Sequence, residues 1–530
     1  MIRRRIVLGS MLVVLFGIGW VAGRGSARAG DLYQNLDLFV EILHRVQENY
    51  VDPVEPEKLI TGAMKGMLRD LDPYSQFLDA GSYQNLQAAT HGSFGGIGVE
   101  VSIRDDYPTV ISPIEGGPAW TLGIRSGDVI TRIEGRSAAG LAIDEVAQRL
   151  RGPQGSHVQV SIRREGEEGE VEYSIERREI VTRSVRHAFV VEGRVGYVRL
   201  ANFSETSGGE VRAALERLKA EGADRLVLDL RSNPGGLLDQ AVDVAEQFVK
   251  QGTKLVSTRG RARGQDNLYF ASEVHPMLDW PMVVLVDGAS ASASEIVAGS
   301  LQDHDRGLVV GTTSFGKGLV QTLFPLEGGW FVKLTTGKWY TPSGRSIQAE
   351  HDRLGDDRFV EYAVDSAKGD TARQRPVFKS DAGRKILGGG GITPDIVVTP
   401  DSASVAEREL AKAVNPFYQA WYVTLYNYAL EMKPKLAPNF TITPAIRDEF
   451  FNRLIKAKVA ITRAQYDAAQ AVIDRNLEQR FTSLAFGDSA AFRRGAAGDP
   501  QVQMALDLLR RGTTQRQLLA LASTEVKKSQ

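Results

Sequence analysis

Met282-Val-Val-Leu-Val-Asp-Gly-Ala-Ser-Ala-Ser-Ala-Ser-Glu295 is the stretch on which the fold turns. Its first six residues are a short, Val-rich apolar run of the kind that forms a buried strand. Gly288 to Ser294 are all small residues, and from Glu295 to about Gln302 the apolar residues Ile296, Val297 and Leu301 fall at helical spacing. A strand, a cramped turn and then a helix make a nucleophile elbow, which projects a serine and leaves helix N-terminal amides free beside it. Small side chains are what allow backbone and substrate to approach that closely.

Working outward, Thr313-Ser-Phe-Gly-Lys-Gly-Leu-Val-Gln321 supplies a candidate base. If residues 317–321 are extended, the two-residue period places Lys317 and Gln321 on one face, where Gln321 can orient the amine. A lysine acts as a base only when neutral, and its ordinary pKa of about 10.4 leaves almost none neutral at pH 7. Burial penalises the charged form, and the glycines flanking Lys317 suit an enclosed backbone. Serine with lysine is a known variant of nucleophilic acyl transfer. On these residues alone a second reading stays open, because serine-rich small turns are common and most lysines beside glycine are simply solvated.

The paired motifs S-A-S-A-S-E (290–295) and F-G-K-G-x-x-Q (315–321) closely resemble those of the carboxyl-terminal processing, or tail-specific, serine peptidases. The resemblance spans about residues 35–400. It implies Ser292 as nucleophile, Lys317 as base 25 residues on, and Gln321 as the residue that positions the lysine. It implies a fold as well: an α/β core like that of crotonases and Clp peptidases, a β-rich PDZ domain, and helical N- and C-terminal regions. The expected domains are 1–29, a signal peptide or membrane anchor; 30–92, helical; 93–180, PDZ; 181–400, protease core; and 401–530, helical.

Composition narrows the alternatives. The chain has 530 residues, enough for two to four domains. Its 64 basic and 65 acidic residues nearly balance, which gives no sign of nucleic-acid binding. With no cysteine there is no disulfide, no thiolate zinc site and no cysteine nucleophile. Arg3-Arg-Arg5, the apolar residues 6–23 and Ala27-Arg-Ala29 together form a bacterial-type export signal, cleaved or retained as an anchor. A bacterial cell-envelope, periplasmic location is therefore expected.

Residues 31–90 show two helical stripes, Leu36, Phe39, Val40, Leu43, Val46 and then 59–71. In the resembled family this region takes part in self-association in some members; packing on the protease core is the other reading. From about residue 93 short strands alternate with glycine turns. Phe94-Gly-Gly-Ile-Gly-Val99, Gly123-Ile-Arg-Ser-Gly-Asp128 and an amphipathic helix at 143–150 look like a PDZ domain. Gly95, Gly96, Ile97 and Gly98 would form a nest of amides for a peptide's terminal carboxylate, the peptide adding as a strand.

Strands at 195–200 and 226–230 alternate with helices near 208–220 and up to Phe248, as in a parallel α/β sheet. Asn233-Pro-Gly-Gly236 lies between strand and helix. It is either a turn that needs glycine's freedom or, as the resemblance implies, an oxyanion support in which Gly235 or Gly236 joins the Ala293 amide. Lys338-Trp-Tyr-Thr-Pro-Ser-Gly-Arg-Ser-Ile-Gln348 and Gly390-Gly-Ile-Thr-Pro-Asp-Ile-Val397 match further motifs of the family, and the charged stretch between them reads as a surface loop or lid. After Pro400 the pattern is helical: 417–428, 444–456, 462–484 and a helix starting at Asp499-Pro500. The stripe Tyr418, Trp421, Tyr422, Leu425, Tyr428 is expected to dock on the protease core.

A Ser-His-Asp hydrolase is the nearest rival. Of seven histidines only His304 is close to Ser292 in sequence. Twelve helical residues would separate the two by about 18 Å, so His304 is expected to be a solvated helix-end residue. No H-E-x-x-H or similar spacing suggests a metal. A crotonase-like acyl-CoA enzyme would share the core but not the PDZ motif, the export signal or the Lys-Gln pair. A non-catalytic PDZ scaffold of the cell envelope would not need Ser292 or Lys317. The expectation is an exported serine endopeptidase that uses no metal and no cofactor. Its expected partners are protein or peptide substrates with a free C terminus, with an activating or adaptor protein, membrane anchoring and homo-oligomer formation as further expectations.

Overall fold

The computed structural model describes residues 32–114, 116–164, 167–273, 279–349, 375–400 and 403–529. The expected export segment and most of the charged 350–387 stretch lie outside them. Among the described residues no helix is long and apolar enough to cross a membrane.

Of the described residues, 32–77 together with Leu323–Leu334 form one compact unit. It holds α1 (residues 32–49) and α2 (Pro56–Arg69), which has proline in its first turn and arginine in its last, as the helix dipole favours. Leu36, Phe39 and Val40 of the expected α1 stripe are exposed. The Asp72 turn closes on its own side chain, which accepts from the Tyr74 and Ser75 amides at 2.8 Å. Phe77, in β1 (Gln76–Leu78), stacks on Trp330 with ring centroids 4.9 Å apart.

The second unit carries the other described residues. After α3 (Ala80–His91), strand β2 (Ser93–Gly96) leads into β3 (Val99–Arg104), β4 (Tyr107–Pro113), the short α4 (Pro118–Thr121), β5 (Val129–Ile133) and β6 (Arg136–Ser137). Then come α5 (Ile143–Leu150), β7 (His157–Arg163), β8 (Val171–Glu176) and β9 (Arg178–Val181). The sheet order is β3-β4-β5-β7-β8, with β6 paired to β5. Val146 and Leu150 of α5 are buried in one cluster with Ile97, Ile130, Val158 and Ile175. β3 is an edge strand of this sheet, flanked by α5.

The central sheet runs β10 (Val185–Val191), β11 (Val195–Leu200), β12 (Arg225–Asp229), β15 (Met282–Val286), β16 (Leu308–Gly311), β21 (Ile396–Val397). Only the β10–β11 pair is antiparallel. The helices α6 (Ser207–Ala220), α7 (Leu238–Glu246) and α8 (Ala293–Asp303) bury Leu215, Val244 and Val297 against one face. A second, smaller sheet includes β13 (Lys254–Gly260), β14 (Asn267–Phe270) and the hairpin of β17 (Leu319–Pro325) and β18 (Phe331–Tyr340). β19 (Val377–Lys379) and β20 (Lys385–Leu387) pair with each other.

Val283 and Leu285 of β15 face away from α8, and as wholly apolar strands demand, that second face is covered too. The cover comes from the end of the chain. Following α9 (Val405–Val414), α10 (Tyr418–Met432), α11 (Pro444–Lys456), α12 (Arg463–Ala468) and α13 (Gln470–Phe486) come α14 (Asp488–Ala496), α15 (Pro500–Arg511) and α16 (Gln515–Ser529). Val502, Leu508, Leu509 and Leu518 of the last two helices pack on Tyr197, Val227, Val283 and Leu285.

The aromatic stripe of α10 behaves differently from its expectation. Trp421, Leu425 and Tyr428 are buried with Phe450 of α11 and Phe481 of α13, so the middle C-terminal helices carry a core of their own, while Tyr418 is exposed. The helix expected over 462–484 is two, broken at Ala469, with the Thr462–Gln465 capping box starting the first.

Candidate active site

β15 enters the elbow through Asp287. Its carboxylate accepts from the Ala289 amide at 3.0 Å, and its own N–H donates to Ser290 Oγ at 2.9 Å. The three serines of the run then part company. Ser290 Oγ donates to the Leu230 carbonyl at 2.8 Å and Ser294 Oγ to the Asn233 carbonyl at 2.9 Å, both on the neighbouring β12 turn. Both serines are fully buried. Ser292 sits between them at φ +54°, a left-handed conformation that L side chains rarely hold, and it is the N-cap of α8. Every residue of α8 is buried, whereas Ser292 is partly accessible. The Ala293 amide immediately behind it lies in the first turn of the helix, where N–H groups have no intrahelical partner.

Glu295, buried at 0% exposure, joins this elbow to the lysine loop. Its Oε2 accepts from the Ser292 amide at 2.8 Å and from the Lys317 amide at 2.9 Å. Two nitrogens sharing one acceptor at such distances lie within about 6 Å of each other. Its Oε1 accepts from the Gly316 amide at 2.6 Å and Ser314 Oγ at 2.5 Å. Burial pushes this carboxyl up, and the four donors pull against it without cancelling the rise.

The lysine loop is held on its other side by the Lys338–Gln348 motif. Trp339 Nε1 donates to the Lys317 carbonyl at 3.0 Å, and the Trp339 amide to the Gly318 carbonyl at 3.0 Å. The Gly318 amide donates to Gln348 Oε1 at 2.8 Å. Every backbone polar atom of Lys317 and Gly318 is thereby engaged, and the Lys317 side chain is half-buried. Gly316 is a glycine of necessity: at φ +90° a Cβ would lie 2.7 Å from Ala349 Cβ. Lys317 precedes β17 rather than lying in it, so the expected extended run starts only at Leu319. Gln321, in the strand, donates through Nε2 to Thr335 Oγ1 at 3.3 Å.

The Asn233-Pro-Gly-Gly236 turn abuts the elbow. A Cβ on Gly235 would lie 2.9 Å from both Ser292 Cβ and the Ala293 nitrogen, whereas one on Gly236 would strike the Phe203 carbonyl oxygen at 2.1 Å. Gly235 is therefore the glycine that faces the nucleophile position. Its amide donates to Asn233 Oδ1 at 2.9 Å.

The other expected residues divide. Gly95 and Gly96 belong to strand β2, paired with Glu179 and Arg178 of β9, so only Ile97 and Gly98 form the bend into β3. The expected loop is thus part strand and part bend, the pairing with β9 fixing the backbone of Gly95 and Gly96. His304 caps the far end of α8 and is not solvated: Nδ1 pairs with Asp381 at 2.7 Å and Nε2 with the Lys254 carbonyl at 2.7 Å. Among the described residues no group of three or more His, Asp or Glu side chains is placed to hold a metal. Sequence reasoning assigned no role to Glu295, Trp339 or Gln348, although all three lie within motifs it quoted. A capping-box glutamate three residues after Ser292 was the available signal for the first.

Comparisons with known proteins define the class. Residues 194–355 match the model of peptidase family S41, residues 109–164 that of the PDZ domain, and residues 23–82 that of the activating protease CtpB N-terminal domain. The chain is a serine-type peptidase with a PDZ domain. A carboxy-terminal-processing protease of Bartonella bacilliformis is 42% identical over 60% of this chain and 74% of its own length. The carboxy-terminal processing protease CtpA of Bacillus subtilis is 32% identical over 64% of this chain and 72% of its own. Among solved structures, a photosystem II D1 C-terminal processing protease is 28% identical, covers 68% of this chain and 92% of that one, and has a TM-score of 0.36. The chain belongs to the carboxy-terminal processing protease family.

Proposed function

We propose that this peptidase cleaves peptide bonds with Ser292 as nucleophile and Lys317 as general base, on substrates selected by their C-terminal tails. The observation that carries the pairing is the shared carboxylate: Glu295 Oε2 accepts from the backbone amides of both residues. Neutral Lys317 takes the Ser292 Oγ proton as Oγ bonds to the peptide carbonyl carbon. The Ala293 amide and that of Gly235 or Gly236 support the oxyanion; the Gly235 N–H would be shared with Asn233 Oδ1. Collapse breaks the C–N bond, and protonated Lys317 gives its proton to the leaving amine. Lys317 then takes a proton from water, hydroxide attacks the acyl carbon, and the released Oγ regains that proton. Gln321 supports the lysine from β17.

Tail recognition is assigned to the PDZ domain. β3 is an edge strand beside α5, so an extended tail can add to it, with its carboxylate at the Ile97–Gly98 bend. Residues 1–29 would place the enzyme in the bacterial cell envelope, and an activating partner would act on the same PDZ and N-terminal elements. Intact-mass analysis of an unstructured model protein tests the whole reading. Wild-type enzyme should cleave it, Ser292→Ala and Lys317→Ala should not, and amidating the substrate's C terminus should slow cleavage. Equal rates on amidated and free-acid substrates would remove tail recognition; hydrolysis by folded Lys317→Ala would remove the dyad.

A further inference from the structure

Arg231 begins the turn that carries Gly235, and all three nitrogens of its guanidinium are engaged. Nε and Nη2 grip the fully buried Asp229, at 2.9 and 2.7 Å, and the Arg231 amide donates to the same carboxylate at 2.9 Å. Asp229 also accepts from Tyr197 Oη. Burial pushes the Asp229 carboxyl up, but the Arg231 bonds and charge outweigh it and hold the group below the ordinary carboxylate range. The remaining nitrogen, Nη1, turns away from the sheet and reaches the head of α15. It donates to Asp499 Oδ2 at 2.7 Å and Gln501 Oε1 at 2.9 Å. These partners lie 268 and 270 residues away in sequence.

Asp499 does two jobs with two oxygens. Oδ1 caps α15, accepting from the Gln501 and Val502 amides at 3.0 and 3.1 Å, while Oδ2 holds Arg231. Gln501 is itself pinned, its Nε2 donating to the Val398 carbonyl at 2.7 Å. Beyond Arg231 the chain enters Ser232 at φ +55° and then Asn233, whose carbonyl accepts from the Ala291 amide and Ser294 Oγ of the elbow. The turn is thus fastened to the elbow at one end and to the C-terminal helices at the other.

We propose that Asp499, with Gln501, positions the oxyanion turn through Arg231, so that the head of α15 is a working part of the catalytic arrangement and not only a cover for the sheet. This rests on the reading of the turn as oxyanion support. Guanidinium geometry is planar and forked, so fixing Nη1 fixes the plane of the whole group and with it the peptide that leads to Gly235. Asp499 and Gln501 are positioning residues, since neither touches substrate.

The test is Asp499→Asn in the full chain. Asparagine keeps an Oδ1 cap for α15 but sets an NH2 or a weaker acceptor against Nη1. The expected result is a fall of about tenfold in kcat with KM held within about twofold, since a small displacement near the reacting atoms costs rate before binding. Affinity for a peptide aldehyde, which forms a hemiacetal oxyanion on the nucleophile, should fall in parallel with kcat. Gln501→Met, which leaves the cap intact, should lower kcat by a smaller factor of about three. As control, Gln515→Ala removes the 2.8 Å bond to the Met282 amide at the opposite end of β15; it should lower Tm and leave kcat and aldehyde affinity unchanged. Wild-type kcat in folded Asp499→Asn and Gln501→Met, or an equal loss of kcat in Gln515→Ala, overturns the proposal. Failure of the wild-type chain to hydrolyse peptide or bind the aldehyde overturns the underlying reading instead.

Discussion

The central sheet is left twice by the same device, and the two exits have different fates. β12 ends in Arg231-Ser-Asn-Pro-Gly-Gly236 before α7, and β15 ends in Gly288-Ala-Ser-Ala-Ser292 before α8. Each exit forces a serine into left-handed backbone, Ser232 at φ +55° and Ser292 at φ +54°. The sign of φ is the same, so a positive φ alone does not pick out the nucleophile. Position relative to the helix does. Ser292 is the N-cap itself, with the free first-turn amide of Ala293 directly behind it, whereas five residues separate Ser232 from the start of α7. Ser232 instead spends its amide and hydroxyl on Asp287, at 2.9 and 3.2 Å. In the proposed mechanism one exit offers the reactive group and the other offers glycine backbone to receive the charge that the reaction creates.

The largest effect should separate the two serines. Ser292→Ala should lower peptide hydrolysis by about a thousandfold or more, since residues that act as a unit fail together. Ser232→Ala should leave turnover within a few-fold and cost about 1 kcal/mol of stability for its single side-chain hydrogen bond. Steady-state rates and denaturant melts on both variants decide the matter; comparable losses of rate would erase the distinction.

The glycines come next. Gly235→Ala, at φ +97°, would drive a Cβ to 2.7 Å from the Ala291 carbonyl oxygen and 2.9 Å from Ser292 Cβ and the Ala293 nitrogen, so activity should collapse with a smaller loss of stability. Gly236→Ala, at φ +151° and 2.1 Å from the Phe203 carbonyl oxygen, should fail chiefly in stability. Circular dichroism beside the activity assay tells the two kinds of damage apart.

Glu295 provides a pH signature of intermediate size. Its raised pKa means that it takes up a proton at a higher pH than an ordinary glutamate, near 4.3 in the reference state and roughly there in the unfolded chain. A protonated carboxyl must donate, so it can no longer serve all four of its donors, and activity should fall as pH drops through that raised value. Stability should move the other way, because a group whose pKa is raised by folding favours the folded state as it becomes protonated. Glu295→Gln should be slower at every pH and should lose both pH dependences. If wild type and Glu295→Gln share the same acid limb, Glu295 is not its source. Smallest of all, Ser290→Ala and Ser294→Ala should each cost about 1 kcal/mol in unfolding experiments and leave the nucleophile intact.

Sequence carried the local part of this arrangement well and the distant part poorly. The apolar run, the small-residue turn and the helix that follows it are adjacent in the chain, so periodicity and side-chain size were enough to place an elbow there, while the choice of Ser292 among its serines came from the family resemblance. Helix 143–150 and strand 195–200 were legible for the same reason, since each carries a complete periodic pattern within its own residues. Lys317 came from its motif, but its restraints could not, because Trp339 and Glu295 reach it across 22 residues in either direction. The C-terminal helices illustrate the limit. An amphipathic stripe says that a face is buried without saying against what. The stripe on α10 therefore looked like a docking face and proved to be part of a separate helical core, while α15 and α16 cover the sheet. The continuous apolar runs of β12 and β15 did signal that both faces of the sheet needed cover.

Covalent labelling shows whether Lys317 makes Ser292 nucleophilic. The full chain would be treated with a fluorophosphonate, digested, and mapped by mass spectrometry, with the rate of labelling followed against pH. A single adduct on Ser292 is expected, its formation accelerating toward alkaline pH as a lysine becomes neutral, and lost in folded Lys317→Ala but not in His304→Ala. An adduct on Ser232, Ser290 or Ser294, or labelling of Ser292 that survives Lys317→Ala and vanishes in His304→Ala, would contradict it.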